Sequence, residues 1–129
     1  MWRDQLVEHL EGRADVIAAY LFGSQARGTA RADSDVDIGI LLRARPTHLL
    51  DGAFDLAGDL AVIISKAVDV VVMNSAASDV VHRILRDGEL LLDRDRGARI
   101  RFEVRARNDY FDMIPIRDAY RRGPSSKRI

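Results

Sequence analysis

The residues best suited to chemistry lie between Leu21 and Leu42, where Gly23-Ser24 is followed by ten residues and then Asp35-x-Asp37. Alternate side chains of a strand point to the same face, so the two aspartates would lie side by side, about 7 Å apart. Carboxylates this close repel each other unless a cation lies between them. Because Mg²⁺ commonly binds one or two carboxylates together with substrate phosphates, the pair predicts a magnesium site.

Gly23 and Ser24 predict the phosphate side of the same site. They follow an apolar, partly β-branched run, residues 16–22, that is typical of a buried strand. Ser24 to Arg27 then predicts one helical turn, capped by Ser24 and ended by Gly28. A strand that leads directly into a helix start forms an anion site, because the first backbone N–H groups have no partner in the helix. A phosphate site beside a metal site predicts nucleotidyl transfer.

Two arginines, Arg27 and Arg31, would lie close to this phosphate site. Either guanidinium could bind a triphosphate through charge-assisted hydrogen bonds. Either could equally be an exposed loop charge. We take Arg27 as the candidate nucleotide-binding arginine.

A third acidic residue, Asp69, interrupts a second β-branched strand predicted at residues 67–73. An aspartate buried in a strand without a partner costs several kcal/mol, so a compensating interaction is expected. If this strand lies beside the one that carries Asp35 and Asp37, Asp69 completes a site of three carboxylates. The alternative is that Asp69 lies at the mouth of the strand, in water.

Gly23-Ser24, the ten-residue gap and Asp35-x-Asp37 resemble the signature of the DNA polymerase beta nucleotidyltransferase superfamily. The fuller stretch GSQARGTARADSDVDIGI looks most like the minimal nucleotidyltransferases of prokaryotes. The resemblance implies an α/β, polymerase-beta-like fold with a small mixed sheet flanked by helices. It also implies catalysis with two Mg²⁺ ions and ATP as substrate. The residues it implies for metal binding and catalysis are Asp35, Asp37 and Asp69, and those for ATP binding are Gly23, Ser24 and Arg27.

The size of the chain bears on the acceptor of the nucleotide. Related enzymes that modify antibiotics or extend nucleic acids carry a further domain, and the roughly 36 residues after the last predicted strand are too few for a second core. Minimal nucleotidyltransferases are commonly antitoxins of HEPN-domain toxins. The resemblance therefore implies transfer of AMP from ATP to a tyrosine of a cognate HEPN toxin, with release of pyrophosphate. Two alternatives remain: a small-molecule nucleotidyltransferase of the aminoglycoside-modifying type, and a non-catalytic antitoxin that acts by binding.

Apolar periodicity predicts the elements that position these residues. The expected architecture has catalytic carboxylates on one face of the sheet, helices on the other and a C-terminal helix packed alongside. Residues 1–129 are expected to form a single domain with a disordered tail at 123–129. The predicted helices are residues 2–10, 47–66 with Thr47 as N-cap, 75–86, and about 97–120 with a break or kink at Pro115, and a short strand is predicted at 89–92.

Composition excludes several classes of protein. The chain has no cysteine, which excludes disulfides and thiol chemistry and favours a cytoplasmic protein. No apolar run approaches the ~20 residues that span a bilayer, so no membrane partner is expected. The formal net charge of zero conceals an asymmetry: residues 1–93 carry nine Lys and Arg against fifteen Asp and Glu, and residues 94–129 carry eleven against five. A basic tail indicates an acidic or nucleic-acid partner, although a solvated basic helix is the simpler interpretation. Direct binding of nucleic acid is not expected.

Overall fold

The structure is a computed structural model that describes the backbone of residues 2–28, 31, 34–43 and 49–122, and their side chains outside 49–54 and 114–122. The strands are β1 (Val16–Phe22), β2 (Val36–Leu42), β3 (Val68–Val72) and β4 (Glu89–Asp93). The helices are α1 (Trp2–Glu11), α2 (Ser24–Arg27), α3 (Leu49–Ile64), α4 (Ser78–Asp87) and α5 (Arg96–Arg122), and a 3₁₀ turn covers Met73–Ser75.

The strands form one mixed sheet in the order β3-β2-β1-β4. β1 pairs antiparallel with both β2 and β4, whereas β2 pairs parallel with β3. A parallel pair needs a crossover connection, and α3, which lies between β2 and β3 in the chain and packs on β3, belongs to it. The predicted fold class, a small mixed sheet flanked by helices, is confirmed.

Helices cover both faces of this sheet. Along β1, Ala19 and Leu21 belong to a core shared with α1 and α3, whereas Ala18 and Tyr20 belong to a second core shared with α4 and α5. The expectation that helices cover only one face was therefore wrong. The physical reason is that β1 is apolar at alternate positions on both sides and buried along nearly its whole length, so each face needs a cover.

The segment that follows β3 differs from the prediction. The chain forms the 3₁₀ turn after Val72, so α4 begins at Ser78 and not at the predicted residue 75. Within the turn, the side-chain amide of Asn74 accepts a hydrogen bond from the Leu42 N–H at 2.8 Å and donates one to the Leu42 carbonyl at 2.9 Å. The Asn74 amide thereby continues the pairing with β2 beyond the last residue of β3.

The C-terminal helix α5 continues past Pro115, so this proline does not end it. Two other expectations, the N-cap at Thr47 and the disordered tail at 123–129, lie outside the described residues. Within the described ranges, no helix combines the length and the apolar character that crossing a membrane requires.

A polar network, formed by Tyr20, Asp93, Arg99 and Glu103, attaches α5 to the sheet. The buried Tyr20 hydroxyl donates to Glu103 Oε2 at 2.6 Å, and Arg99 Nη1 donates to the same oxygen at 3.0 Å. Arg99 Nη2 lies 3.0 Å from Asp93 Oδ2, at the end of β4. Burial of Tyr20 and its bond to Glu103 raise the pKa of the phenol, so the tyrosine stays neutral. We call these four residues the α5 network.

Candidate active site

The turn between β1 and α2 is built on Gly23, which has a φ of 73°. Gly23 is the N-cap of α2, and its carbonyl accepts the Arg27 N–H at 3.1 Å. The prediction that Ser24 caps this helix was wrong, because Ser24 is already its first residue and no side chain caps the helix. The predicted end at Gly28 is confirmed, with Gly28 in the left-handed conformation and its N–H bonded to the Ser24 carbonyl.

A second reason for glycine at position 23 is the close approach of Asp37. In the β1–β2 ladder Phe22 lies opposite Asp37, which brings the turn beside that carboxylate. A Cβ atom on Gly23 would collide with Asp37 Oδ2 and lie 3.1 Å from Asp37 Cγ. Any other residue would also be strained at this positive φ. The glycine therefore lets the backbone of the turn pack directly against the Asp37 carboxylate.

The three predicted carboxylates lie on two adjacent strands or directly beside them. Asp37 on β2 is the direct partner of Asp69 on β3, and Asp35 precedes the first residue of β2 by one position. The condition set from the sequence, that the strand of Asp69 lies beside that of Asp37, is met. Asp37 is half-buried, whereas Asp35 and Asp69 are exposed.

Burial raises the pKa of Asp37, and the negative charges of Asp69 and Asp35 raise it further, while Arg27 acts in the opposite direction. Asp69 and Asp35 are thus close enough to destabilise the negative charge of Asp37. Among the described residues, no set of three His, Cys, Asp or Glu side chains is gathered closely enough to hold a metal ion by itself. The residues nevertheless fit Mg²⁺, because they supply hard oxygen ligands where a cation would offset repulsion, and Mg²⁺ takes its other ligands from water and phosphate.

A pocket of about 210 Å³ opens at this point. It is lined by Phe22, Gly23, Arg27, Asp37, Arg83 and Asp87. Four of these belong to the β1–α2 turn and to β2, but Arg83 and Asp87 come from α4. Neither residue is predicted from the sequence, because charged residues on an amphipathic helix are typical of a solvated face. Their only sequence signal is an i, i+4 spacing, which does not show what the helix faces.

A glycine in β2 accounts for the position of α4 over the pocket. Gly39 lies on the same face as Asp37, two residues along the strand. A Cβ atom there would lie 3.2 Å from Ile84 Cδ1 and 3.1 Å from Met73 Sδ, so the missing side chain lets α4 pack closely. Ile84 is fully buried in this contact. The end of α4 is thereby held next to Asp37.

The two candidate arginines have different positions. Arg27 lines the pocket and acts electrostatically on Asp37. Arg31 is not among the described residues that line it. Its backbone N–H donates to Ser34 Oγ at 2.8 Å, and its carbonyl accepts the Ser34 N–H at 3.1 Å, which closes a local turn. Of the two arginines, Arg27 is therefore the one placed to meet a phosphate.

A small mixed sheet with acids on neighbouring strands, facing a glycine turn that leads into a helix, is the arrangement of a nucleotidyltransferase. A family model described as "Polymerase beta, Nucleotidyltransferase" matches residues 4–97. The chain belongs to this family.

Comparison with individual proteins agrees with that assignment. The protein adenylyltransferase MntA of Shewanella oneidensis is 32% identical over 72 residues, which are 56% of this chain and 50% of MntA. The chain thus spans about half the length of the curated relative it matches. A crystal structure of a toxin–antitoxin with AMP-PNP has 24% identity and a TM-score of 0.80, over 92% of this chain and 94% of that one.

A structure of a tri-AMPylated Shewanella oneidensis HEPN toxin in complex with an MNT antitoxin has 22% identity and a TM-score of 0.75, over 92% of both chains. At these identities, the two structures show that the fold is shared.

Proposed function

We propose that this protein is a Mg²⁺-dependent adenylyltransferase that transfers AMP from ATP to a tyrosine of a cognate HEPN toxin and thereby acts as its antitoxin in the cytoplasm. The observation that carries the proposal is the meeting of the Gly23 turn, Arg27 and Asp37 at one pocket, with Asp69 paired to Asp37 on the neighbouring strand. Further support comes from the similar proteins, among them a protein adenylyltransferase and an antitoxin in complex with an AMPylated toxin.

In the proposed reaction, the tyrosine hydroxyl oxygen forms a bond to the α-phosphorus of ATP. The bond from that phosphorus to the bridging oxygen breaks, pyrophosphate leaves and the hydroxyl proton passes to solvent. Asp35, Asp37 and Asp69 would hold Mg²⁺, which stabilises the charge that develops on the phosphoryl oxygens and on the leaving group. The free N–H groups at the start of α2 and the Ser24 hydroxyl would bind the phosphates, and Arg27 would hold them in line.

The size of the pocket favours an acceptor that arrives on another macromolecule. At about 210 Å³ it is smaller than the roughly 300–1,000 Å³ of typical small-molecule sites. The described lining of this pocket does not enclose a separate space for an aminoglycoside beside ATP. A tyrosine on the surface of a partner needs no such space, because the partner brings its own binding surface.

The proposal is tested by the intact mass of the HEPN partner after incubation with this protein, ATP and Mg²⁺. We expect the partner to gain one or more adenylyl groups and to lose its toxicity, and Asp35→Ala protein to add none. If the partner keeps its mass while its toxicity is still suppressed, the protein is an antitoxin that acts by binding. Transfer of AMP to an aminoglycoside without any partner would show the small-molecule enzyme instead.

A further inference from the structure

We propose that Arg83 of α4 is a further ATP-binding residue, which contacts the triphosphate from the helix, whereas Arg27 contacts it from the α2 turn. This inference rests on the proposed function and extends it to an element outside the sequence motif. Arg83 lines the same pocket as Gly23, Arg27 and Asp37.

The backbone that carries Arg83 is firmly held. Its neighbours Val81 and Ile84 are 3% and 0% exposed, and Ile84 packs into the space left by Gly39. The Arg83 side chain itself is exposed. A rigid attachment with a free guanidinium suits a phosphate contact, because little backbone ordering is required when the ligand binds.

The guanidinium of Arg83 has no hydrogen bond or ion pair with any described residue. Arg86, one turn further along the same helix, differs: its Nε and Nη2 donate to the two carboxylate oxygens of Asp87, each at 2.9 Å. Each carboxylate oxygen of Asp87 thus accepts a hydrogen bond, and both bonds come from Arg86 and not from Arg83. This leaves the donors of Arg83 available for a ligand in the pocket.

Arg83 and Arg27 also lie near a common point. Besides the bonds from Arg86, the charges of both Arg27 and Arg83 help to lower the pKa of Asp87. Two guanidinium groups from different elements thus lie near Asp87 in the same pocket. Guanidinium groups bind phosphate oxygens through paired N–H donors, so this region suits an anion with several oxygens.

Charge balance gives an independent reason for a second arginine. Asp35, Asp37 and Asp69 already place three acidic groups beside the pocket, and a triphosphate adds several more negative charges. Mg²⁺ offsets part of this, and Arg27 contributes one positive charge. Arg83 is the other cationic residue among those that line the pocket.

The test measures binding of AMP-PNP with Mg²⁺ by calorimetry, without a toxin partner. We expect Arg83→Gln to weaken binding by about tenfold to a hundredfold, as for the loss of hydrogen bonds to a charged group. Arg83→Lys should recover part of the affinity, because it restores the charge but not the fork of donors. The matched control is Arg101→Gln, which removes an exposed arginine from α5 and should bind like the wild type. Thermal melts of each variant verify that the fold is retained.

The outcomes separate this inference from the proposed function. If the wild type binds AMP-PNP and Arg83→Gln binds it as tightly, the inference alone is overturned. Normal binding by Arg83→Gln with loss of AMP transfer would assign Arg83 to the partner contact, which also overturns it. If the wild type itself binds no AMP-PNP, the proposed function and the inference fail together.

Discussion

Two charged regions of this molecule differ in how their charges are paired. In the α5 network, Glu103 accepts from both Tyr20 and Arg99, and Arg99 also meets Asp93. In the pocket, the acid Asp37 is flanked by two further acids, and among the described residues it has neither a hydrogen bond nor an ion pair. One region pairs its charges within the protein, whereas in the other an acid has no such pairing among the described residues.

The paired charges of the α5 network are typical of a structural role, whereas the repelling charges around Asp37 are typical of a ligand-binding site. The bonds of the α5 network secure a helix and offset the cost of burial. The repulsion at Asp37 does not stabilise the fold. It occurs in the pocket that Gly23 and Arg27 also line. Substitutions in the two regions should therefore affect different measurable properties.

The largest effect is expected from Asp37→Ala. Removal of a carboxylate that is proposed to hold Mg²⁺ should lower the rate of AMP transfer by about a thousandfold, or roughly 4 kcal/mol of transition-state stabilisation, with the fold intact. The rate is measured on the HEPN partner by intact mass over time. As a control, Asp15→Ala removes an exposed aspartate from the turn before β1 and should keep the wild-type rate. Turnover of Asp37→Ala within tenfold of wild type would remove Asp37 from the catalytic set.

Ser24→Ala tests whether this hydroxyl serves a ligand or its own helix. Because no side chain caps α2, the variant should melt at the wild-type temperature. Its affinity for AMP-PNP should fall by about 1–3 kcal/mol, the range for a hydrogen bond to a charged group. Calorimetry and thermal melts on the same samples measure the two quantities. A lower melting temperature with unchanged affinity would contradict the assignment of Ser24 to the phosphates.

In the α5 network, a substitution should lower stability and leave the affinity for AMP-PNP unchanged, the reverse of what is expected for Ser24→Ala. Glu103→Gln should lower the free energy of unfolding by about 1–2 kcal/mol, since Tyr20 and Arg99 lose a charged acceptor. Affinity for AMP-PNP should not change, because this residue does not line the pocket. Denaturant unfolding measures the effect, with Glu8→Gln on the exposed side of α1 as the control. A stability equal to that of wild type would show that the network contributes nothing to the fold.

The smallest effect is expected when an aspartate is replaced by asparagine, once in each of the two regions. Because the folded protein raises the pKa of Asp37, its ionised form destabilises the fold at neutral pH, and the neutral Asp37→Asn should raise the melting temperature slightly without divalent metal. Asp93→Asn should lower it, since Asp93 loses its ion pair with Arg99. Melting curves in EDTA measure both shifts. Shifts of the same sign would contradict the distinction between the two regions.

Much of the pocket could be predicted from the sequence because strand periodicity is local. The alternation along β2 places Asp37 on one face, and the Gly23-Ser24 pair marks the exit of β1. The cap of α2 was misassigned because it depends on the φ of Gly23, and residue type alone does not determine whether that glycine or Ser24 occupies the capping position.

The contribution of α4 to the pocket could not be predicted from the sequence. The placement of Arg83 depends on the contact between Gly39 and Ile84, two residues 45 positions apart in the chain, and neither of them is charged. Local periodicity identifies Ile84 as an inward residue of a helix but not the surface it meets. Tertiary packing decides which charged residues of a helix face a pocket and which face water.

The pairing of Asp37 with Asp69 in the parallel β2–β3 ladder also constrains where this chain can change in length. Residues added to the connection between Leu42 and Val68 lengthen a crossover, and loop closure costs little for each residue gained. One residue deleted inside β3 before Asp69 shifts the pairing by one and turns that carboxylate to the opposite face, although the strand still forms. Variation in length should thus be tolerated between these two strands outside α3, whose buried residues must keep their spacing, and not within the strands. A single residue inserted between Ser65 and Lys66 should keep activity, whereas one inserted within β3 before Asp69 should abolish it.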